Sequence, residues 1–232
     1  MKIYKFGCEQ FTPFAPHWDY LVAEKQTASD YSPLKDEILQ REKDIIAQFE
    51  YEHDWGTGLG KNSLTARSNK YNLLTFENAE VLRENIRKFH DEFLEHIGMS
   101  MRGPIYVQCW ANVMRKNAKI QVHCHGFSPH SYLSGHLCVQ VSDTKTHYYN
   151  PYAVEPWSSD NENGKMTLFP TWLKHGTDRV MDSEERITVA FDIMDEQGYT
   201  VDVKEDMKPP VSYTHLRAHE TLRYLVCRLL LE

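Results

Sequence analysis

Three histidines have the spacing of a metal site. His123 and His125 are separated by one residue, and His175 follows fifty residues later. Residues i and i+2 of an extended strand project from the same face, so the close pair can bind one ion while the distant histidine completes the set from another strand. Neutral imidazole binds iron, zinc, copper and nickel. The spacing therefore predicts a transition-metal centre held by these three side chains.

A cationic and a hydroxyl side chain follow the last of these histidines. Arg186 and Thr188 share one face of a predicted strand, because side chains alternate along it. The opposite face carries four apolar residues: Ile187, Val189, Phe191 and Ile193. An arginine that points into an apolar barrel is costly without an anionic partner. A dicarboxylate supplies that partner through a bidentate guanidinium pair, and the threonine hydroxyl can donate to the same carboxylate.

Three further side chains are candidates for the wall of the same pocket. Trp110 and Asn112 lie on a predicted strand before the histidine pair, and His136 lies on the strand after it. Asn112 could reach the dicarboxylate or a bridging water, although a hydrogen bond within the sheet explains it equally well. His136 suits a core or substrate contact better than a fourth metal ligand. Trp110 suits the core or the pocket wall.

Strands in the C-terminal half must position these residues. Turn-forming residues separate runs of β-forming residues at 105–114, 120–123, 135–141, 144–149, 165–169 and 186–193. Many short strands without intervening helices are typical of an all-β sandwich or barrel. The sequence therefore predicts a mainly β fold of the jelly-roll or cupin-like type, with its core at about residues 104–195.

Helices are predicted in the N-terminal part. Ser32 and Pro33 indicate a helix start, since serine can cap a helix and proline fits its first turn. A second helix carries an apolar stripe from Leu82 to Ile97 and ends at Gly98. We expect residues 1–100 to be largely helical and to pack outside the barrel.

Charge and cysteine content disfavour several kinds of partner. The net charge of -7, without basic clusters, disfavours nucleic acid and anionic membrane surfaces as ligands. No apolar run is long enough to span a bilayer. The five cysteines are scattered and form no Cys-x-x-Cys pair, which is typical of reduced thiols. We expect a cytoplasmic protein with no nucleic-acid or membrane partner.

The last segment, residues 211–232, differs in character from the rest. It follows Lys208-Pro209-Pro210, ends in an apolar run and resembles a peptide that arises when sequencing-adapter DNA is translated. We treat it as a non-native tail. The alternative is a native amphipathic helix at the terminus. The remaining residues, 1–209, are expected to form a single domain.

Several stretches of the strand region resemble one known family. They are Gln108-Cys109-Trp110-Ala111-Asn112, His123-Cys124-His125, Leu133-Ser134-Gly135-His136, Gly164-Lys165-Met166-Thr167-Leu168-Phe169-Pro170, His175 and Arg186-Ile187-Thr188-Val189-Ala190-Phe191-Asp192. In order and spacing they are similar to the 2-oxoglutarate-Fe(II) oxygenases of marine microbes and their phages. The N-terminal third of the chain resembles that family less distinctly.

The resemblance implies a double-stranded β-helix that uses Fe(II) and 2-oxoglutarate. His123, His125 and His175 would bind the iron, and Arg186 with Thr188 would hold the distal carboxylate of 2-oxoglutarate. The implied enzyme is a dioxygenase that couples oxidative decarboxylation of 2-oxoglutarate to hydroxylation of a substrate. Dioxygen would be consumed, and succinate and carbon dioxide would be co-products. The substrate would be a small molecule or a peptidyl side chain.

The chain departs from the wider superfamily at one ligand. That superfamily uses two histidines and one carboxylate, in the order His-x-Asp/Glu…His, whereas His125 stands at the carboxylate position here. Asp143 and Asp192 are the nearest acids of the strand region, but neither has the ligand spacing. The centre is therefore either a three-histidine site or a two-histidine site with His125 outside the ligand set, and metals other than iron stay open.

Two other functions fit the same fold. A cupin-like three-histidine metalloenzyme that does not use 2-oxoglutarate shares the barrel and the histidines, but it needs neither Arg186 nor Thr188. A non-catalytic jelly-roll binding module needs no metal, and the clustered histidines argue against it. The Arg-x-Thr pair is thus the sequence feature that separates the oxygenase from the cupin-like enzyme.

Overall fold

Ten strands and two long helices make up the regular structure of the part of the chain that the structure, a computed structural model, describes. That part comprises residues 1–8, 10, 12–15, 17–50, 54, 56–100, 103–151 and 155–198 and the backbone of His215–Leu216. The strands are β1 (Lys2–Cys8), β2 (Trp18–Gln26), β3 (Ile105–Met114), β4 (Ser131–Gln140), β5 (Lys145–Tyr149), β6 (Trp157–Asp160), β7 (Lys165–Pro170), β8 (Lys174–Thr177), β9 (Arg186–Met194) and β10 (His215–Leu216). The helices are α1 (Ser32–Gln48) and α2 (Glu80–His96), with single 3-10 turns between them at Thr65–Arg67, Leu73–Thr75 and Glu77–Ala79.

Seven strands form a large antiparallel sheet in the order β1-β2-β7-β4-β9-β3-β10. Strand β9 pairs along its whole length with β3, beginning with Arg186 opposite Met114. On its other side β9 pairs with β4, where Ser134 lies opposite Asp192. Because side chains alternate along a strand, the residues of β9 divide between the outer and the inner face of this sheet.

A smaller sheet, in the order β6-β5-β8, lies across a cavity from the large one. The segment before β4 extends it, since the N–H of His123 donates to the His175 carbonyl at 3.0 Å and the N–H of His175 donates to the His123 carbonyl at 2.8 Å. The N–H of His125 continues this pairing to the carbonyl of Thr171 at 3.0 Å. Two antiparallel sheets around one cavity constitute a double-stranded β-helix, so the predicted fold class is confirmed.

Both helices contribute apolar side chains to the core on the outer face of the large sheet. The stripe of α2 lies in one continuous apolar cluster with the outward-facing residues of β3, β4 and β9. Its buried members are Leu82, Ile86, Phe89 and Phe93. Full burial of each such side chain contributes about 1.5–3 kcal/mol. Gly98 follows α2 with a φ of +69°, a conformation that glycine adopts readily, so the predicted end of this helix is confirmed.

The first hundred residues are less helical than the sequence predicted. Strands β1 and β2 precede α1 and continue the large sheet beyond β7. Val22 and Ala23 of β2 are both fully buried, and such a continuous apolar run has no periodicity that separates a strand from a helix. Ser32 is the first residue of α1 and does not cap it; its N–H instead donates to the Asp30 carboxylate at 2.9 Å.

Residues 199–232 lie outside the described part, apart from the backbone of His215–Leu216, which pairs with Ile105 and Tyr106 at the edge of β3. That residues 211–232 are a non-native tail, and that 1–209 form a single domain, both stay predictions. Neither α1 nor α2, the long helices of the described residues, has the length and apolar character needed to cross a bilayer.

Candidate metal centre and cosubstrate pocket

The three predicted histidines converge at one end of the cavity. His123 and His125 come from the segment that pairs with β8, and His175 belongs to β8 itself. The ring centroids of His123 and His175 are 4.5 Å apart, those of His125 and His175 5.1 Å, and those of His123 and His125 5.3 Å. One ring nitrogen from each residue lies within 4.8 Å of the others, a separation that one metal ion can bridge.

Backbone carbonyls fix the orientation of two of these rings. The Nδ1 atom of His123 lies 2.8 Å from the carbonyl oxygen of Gln121, and the Nδ1 atom of His175 lies 3.0 Å from that of Leu173. A carbonyl oxygen can only accept, so each Nδ1 must carry the proton. The Nε2 atom of each ring therefore keeps its lone pair for a metal, an arrangement common among metal-binding histidines.

A carboxylate fixes the third ring. The Nδ1 atom of His125 lies 2.6 Å from Oδ1 of Asp192, and the Ser134 hydroxyl donates to the same oxygen at 2.6 Å. Hence His125 also has a protonated Nδ1 and an Nε2 atom free to bind metal. Sequence reasoning considered Asp192 only as a possible ligand and gave Ser134 no role.

Burial keeps two of the histidines neutral. Burial lowers the pKa of His123 to about 4, with a further contribution from the neighbouring His125. Burial likewise lowers the pKa of His175 well below its usual value, and His125 and His123 add to the effect. Both imidazoles are therefore uncharged at neutral pH, which is the form that binds metals.

Arg186 places a buried cation at the inner face of β9. The residue is 2% exposed, and its guanidinium makes two contacts with neighbouring side chains, from Nε to the Thr144 hydroxyl and from Nη1 to the Met114 sulfur, each at 3.3 Å. No carboxylate of the described residues lies within 4.0 Å of it. Burial lowers the pKa of Arg186, although an arginine stays charged. A buried guanidinium of this kind is poised for an anion.

One cavity of about 670 Å³ joins the histidines to this arginine. That volume lies within the range of small-molecule sites. All the other candidate pocket residues also line it: Thr188, Trp110, Asn112 and His136. The Asn112 amide oxygen accepts from the Thr65 hydroxyl at 2.6 Å. Burial lowers the pKa of His136 to about 3, with Arg186 as the next contribution, so this imidazole is neutral as well.

Solved structures with the same architecture show what kind of fold surrounds the cavity. The chain is similar to a prolyl-4-hydroxylase from Pseudomonas putida, with 11% identity over 75% of this chain and 91% of that one and a TM-score of 0.50. It is also similar to SnoK, a non-heme alpha-ketoglutarate-dependent carbocyclase from nogalamycin biosynthesis, with 10% identity over 83% of this chain and 89% of that one and a TM-score of 0.50. At these identities the similarity shows a shared fold. No curated protein sequence matches the chain.

A family model matches the C-terminal part of the strand region. The model described as "Putative 2OG-Fe(II) oxygenase" matches residues 143–192, which include His175, Arg186 and Thr188. Over residues 143–192 the chain is similar to the 2OG-Fe(II) oxygenases. The matched region begins after His123 and His125, so the match does not include those two residues.

The cavity fits the two cofactors that the matching family implies, Fe(II) and 2-oxoglutarate. Three Nε2 atoms with free lone pairs suit a transition metal and leave further coordination positions open. The buried guanidinium of Arg186 suits a carboxylate. The donor set and the buried charge thus match a metal and a dicarboxylate side by side.

Proposed function

We propose that this protein is an oxygenase that couples oxidative decarboxylation of 2-oxoglutarate to hydroxylation of a substrate C–H bond. His123, His125 and His175 hold Fe(II), and Arg186 with Thr188 holds the distal carboxylate of 2-oxoglutarate. The observation that carries the proposal is the buried guanidinium of Arg186, which has no carboxylate partner among the described residues and lines the same cavity as the three histidines. In the overall balance one dioxygen molecule provides one oxygen atom to the hydroxyl group and one to succinate, and carbon dioxide is released.

The side chains of the cavity have separate roles in this reaction. Arg186 neutralises and orients the distal carboxylate, and the Thr188 hydroxyl, on the same face of β9, donates to it. This anchor sets the direction in which the other end of 2-oxoglutarate reaches the histidines. Activation of dioxygen is the chemistry that Fe(II) with 2-oxoglutarate supplies in this family. Phe169, whose ring centroid is 4.7 Å from that of His175, helps to keep water from the centre.

Polar residues line a second part of the cavity and are proposed to contact the substrate. They are Thr65, Ser68, Asn69 and Gln108. A small molecule or a peptidyl side chain fits such a wall. We propose a substrate of this kind, a cytoplasmic location in keeping with the scattered cysteines of the sequence, and no nucleic-acid or membrane partner.

The alternatives of the sequence analysis leave Arg186 without a role. A cupin-like three-histidine enzyme that does not use 2-oxoglutarate gains nothing from a buried guanidinium, and the free energy cost of that burial is then uncompensated. A non-catalytic binding module accounts for neither the guanidinium nor the three converging imidazoles.

Anaerobic titration tests the proposal. Fe(II) is added to the purified protein first and 2-oxoglutarate second, while the visible metal-to-ligand charge-transfer band is followed. We expect a band that requires both additions. Arg186→Met should bind Fe(II) normally but need at least tenfold more 2-oxoglutarate for the same band, because a bidentate charge pair is lost.

Arg179→Met is the matched control, because it removes the same charge from an exposed position outside the cavity. Its titration should follow that of the natural sequence. Metal binding without a band would favour the cupin-like enzyme, and a protein that binds no metal would favour the binding module. An unchanged 2-oxoglutarate requirement in Arg186→Met would remove the assigned role of the arginine.

A further inference from the structure

We infer that Asp192 supplies, through His125, the negative charge that the three-histidine ligand set lacks. The inference rests on the proposed function in one respect: it takes His123, His125 and His175 as the metal ligands. Asp192 is then a positioning residue, which orients one ligand ring and raises its electron density without touching the metal.

The geometry of Asp192 is defined by two neighbouring strands. Asp192 on β9 and Ser134 on β4 are cross-strand partners, and both side chains face the histidine cluster. Oδ1 of Asp192 receives the Ser134 hydroxyl at 2.6 Å and Nδ1 of His125 at 2.6 Å. Ser134 is fully buried, so its hydroxyl holds the carboxylate in one orientation. The carboxylate in turn holds the ring of His125 with its Nε2 atom toward the other two histidines.

His125 differs from the other two ligands in the charge of its partner. The Nδ1 atoms of His123 and His175 meet neutral backbone carbonyls, whereas that of His125 meets a carboxylate. A charge-assisted hydrogen bond is about twice as strong as a neutral one. It draws the Nδ1 proton toward the acceptor, which makes the remote Nε2 atom a better electron donor to a cation.

Asp192 does not itself belong to the ligand cluster. Within the described residues, the group whose donor atoms all lie within 4.8 Å of one another comprises the three histidines alone. Two neutral hydrogen-bonded imidazoles and one imidazole paired with a carboxylate carry one negative charge in total. That total equals the charge of a set of two histidines and one carboxylate, although here the charge is one residue removed from the metal.

Metal binding measures this role directly, without turnover. Co(II) is titrated into the metal-free protein without 2-oxoglutarate, and its visible spectrum gives both affinity and coordination. We expect Asp192→Asn to weaken Co(II) binding by about 10–100-fold, the usual effect of replacing a partner of a metal-bound histidine. Ser134→Ala, which keeps the carboxylate but releases it from one hydrogen bond, should cause a smaller loss.

Asp195→Asn is the matched control, because Asp195 pairs with Nδ1 of His130 at 2.9 Å outside the cavity. It removes an equivalent carboxylate–histidine pair and should leave the Co(II) affinity unchanged. Thermal melting of each metal-free variant shows that the protein is folded. If Asp195→Asn weakens binding as much as Asp192→Asn, the effect is one of general charge and the inference is wrong.

A double substitution separates action through His125 from direct action on the metal. In the His125→Ala background, Asp192→Asn should cause no further loss of Co(II) affinity, because the ring that transmits the effect is gone. A further loss of tenfold or more would show that Asp192 acts on the metal without His125. If the natural sequence binds no Co(II), the proposed function fails; if it binds Co(II) and Asp192→Asn binds equally well, only the inference about Asp192 fails.

Discussion

Replacing Arg186 by methionine should stabilise the ligand-free protein while weakening its response to 2-oxoglutarate. The guanidinium is 2% exposed and has two side-chain contacts, both at 3.3 Å. Losing these contacts costs about 0.5–1.5 kcal/mol each, whereas an unpaired buried charge costs several kcal/mol. Thr144 keeps a partner, because its hydroxyl oxygen also accepts from the Asn161 amide at 3.1 Å. We therefore expect Arg186→Met to raise the free energy of unfolding by about 1–3 kcal/mol.

Binding of 2-oxoglutarate should stabilise the natural sequence more than the variant. A ligand that binds only the folded protein, at one hundred times its dissociation constant, stabilises it by about 2.7 kcal/mol. For a chain of this size, each kcal/mol shifts the Tm by about 2–4 °C. The Co(II)-loaded natural sequence should thus gain about 5–11 °C from 2-oxoglutarate. The Arg186→Met protein, with its affinity for 2-oxoglutarate reduced at least tenfold, should gain no more than about 1.4 kcal/mol, or about 3–6 °C, at the same concentration.

Thermal melting of both proteins, each with Co(II) and with or without 2-oxoglutarate, measures all four states. Chemical unfolding in urea checks the free-energy difference between the two ligand-free proteins. A variant that is less stable than the natural sequence by 2 kcal/mol or more would show that Arg186 is a structural residue with partners inside the protein. A variant that keeps the full Tm gain from 2-oxoglutarate would refute the cosubstrate role.

Three other predictions concern the centre, the sheet and the helices. His175→Ala should weaken Co(II) binding more than Asp192→Asn does, because it removes a ligand. His136→Ala should preserve the binding, because His136 lies in the same cavity but outside the ligand cluster; Co(II) titration of both variants tests this. Gly135→Ala should lower the free energy of unfolding in urea by about 2–3 kcal/mol, because its Cβ would lie 2.5 Å from an aromatic carbon of β9. Gly126→Ala is the control and should be neutral in the same assay, because open space surrounds Gly126. Burial alone would raise the pKa of Glu37, but hydrogen bonds from the turn before α2 outweigh it and lower the pKa. The ionised carboxylate therefore stabilises the folded protein at neutral pH, and this stabilisation is lost as the pH falls through the lowered pKa. Glu37→Gln should flatten the acid limb of a plot of unfolding free energy against pH.

The strands that could be predicted from the sequence are those whose pattern is local. Strand β3 coincides with the predicted range, and β9 exceeds its predicted range by one residue. In β9 the apolar and polar positions alternate, since one face lies in the apolar core and the other lines the cavity. The turn between β6 and β7 contains Gly164, whose φ of +81° few other residues tolerate.

The strands that escaped prediction have no such local pattern. β6 and β8 are four residues long, too short for an alternation to stand out. β8 nevertheless carries His175. The pairing of the His175 backbone with that of His123 brings the proposed metal ligands together. The segment that carries His123 and His125 is not a regular strand. The i, i+2 rule assumes a regular strand, but the two rings nevertheless lie close together.

Asp192 shows why ligand spacing alone could not predict the surroundings of the centre. Its position in the sequence lacks the spacing of a metal ligand. The Asp192 carboxylate nevertheless lies against His125, which is 67 positions away in the sequence. His125 lies in the segment before β4, and β4 pairs with the strand that carries Asp192, β9. A spacing rule applies to residues that bind the metal directly. A carboxylate that balances the charge of the centre needs only a hydrogen bond to one of the ligands. Any acid at an inward-facing strand position is therefore a candidate for this role. Asp192 is such an acid, since it shares the inner face of β9 with Arg186 and Thr188.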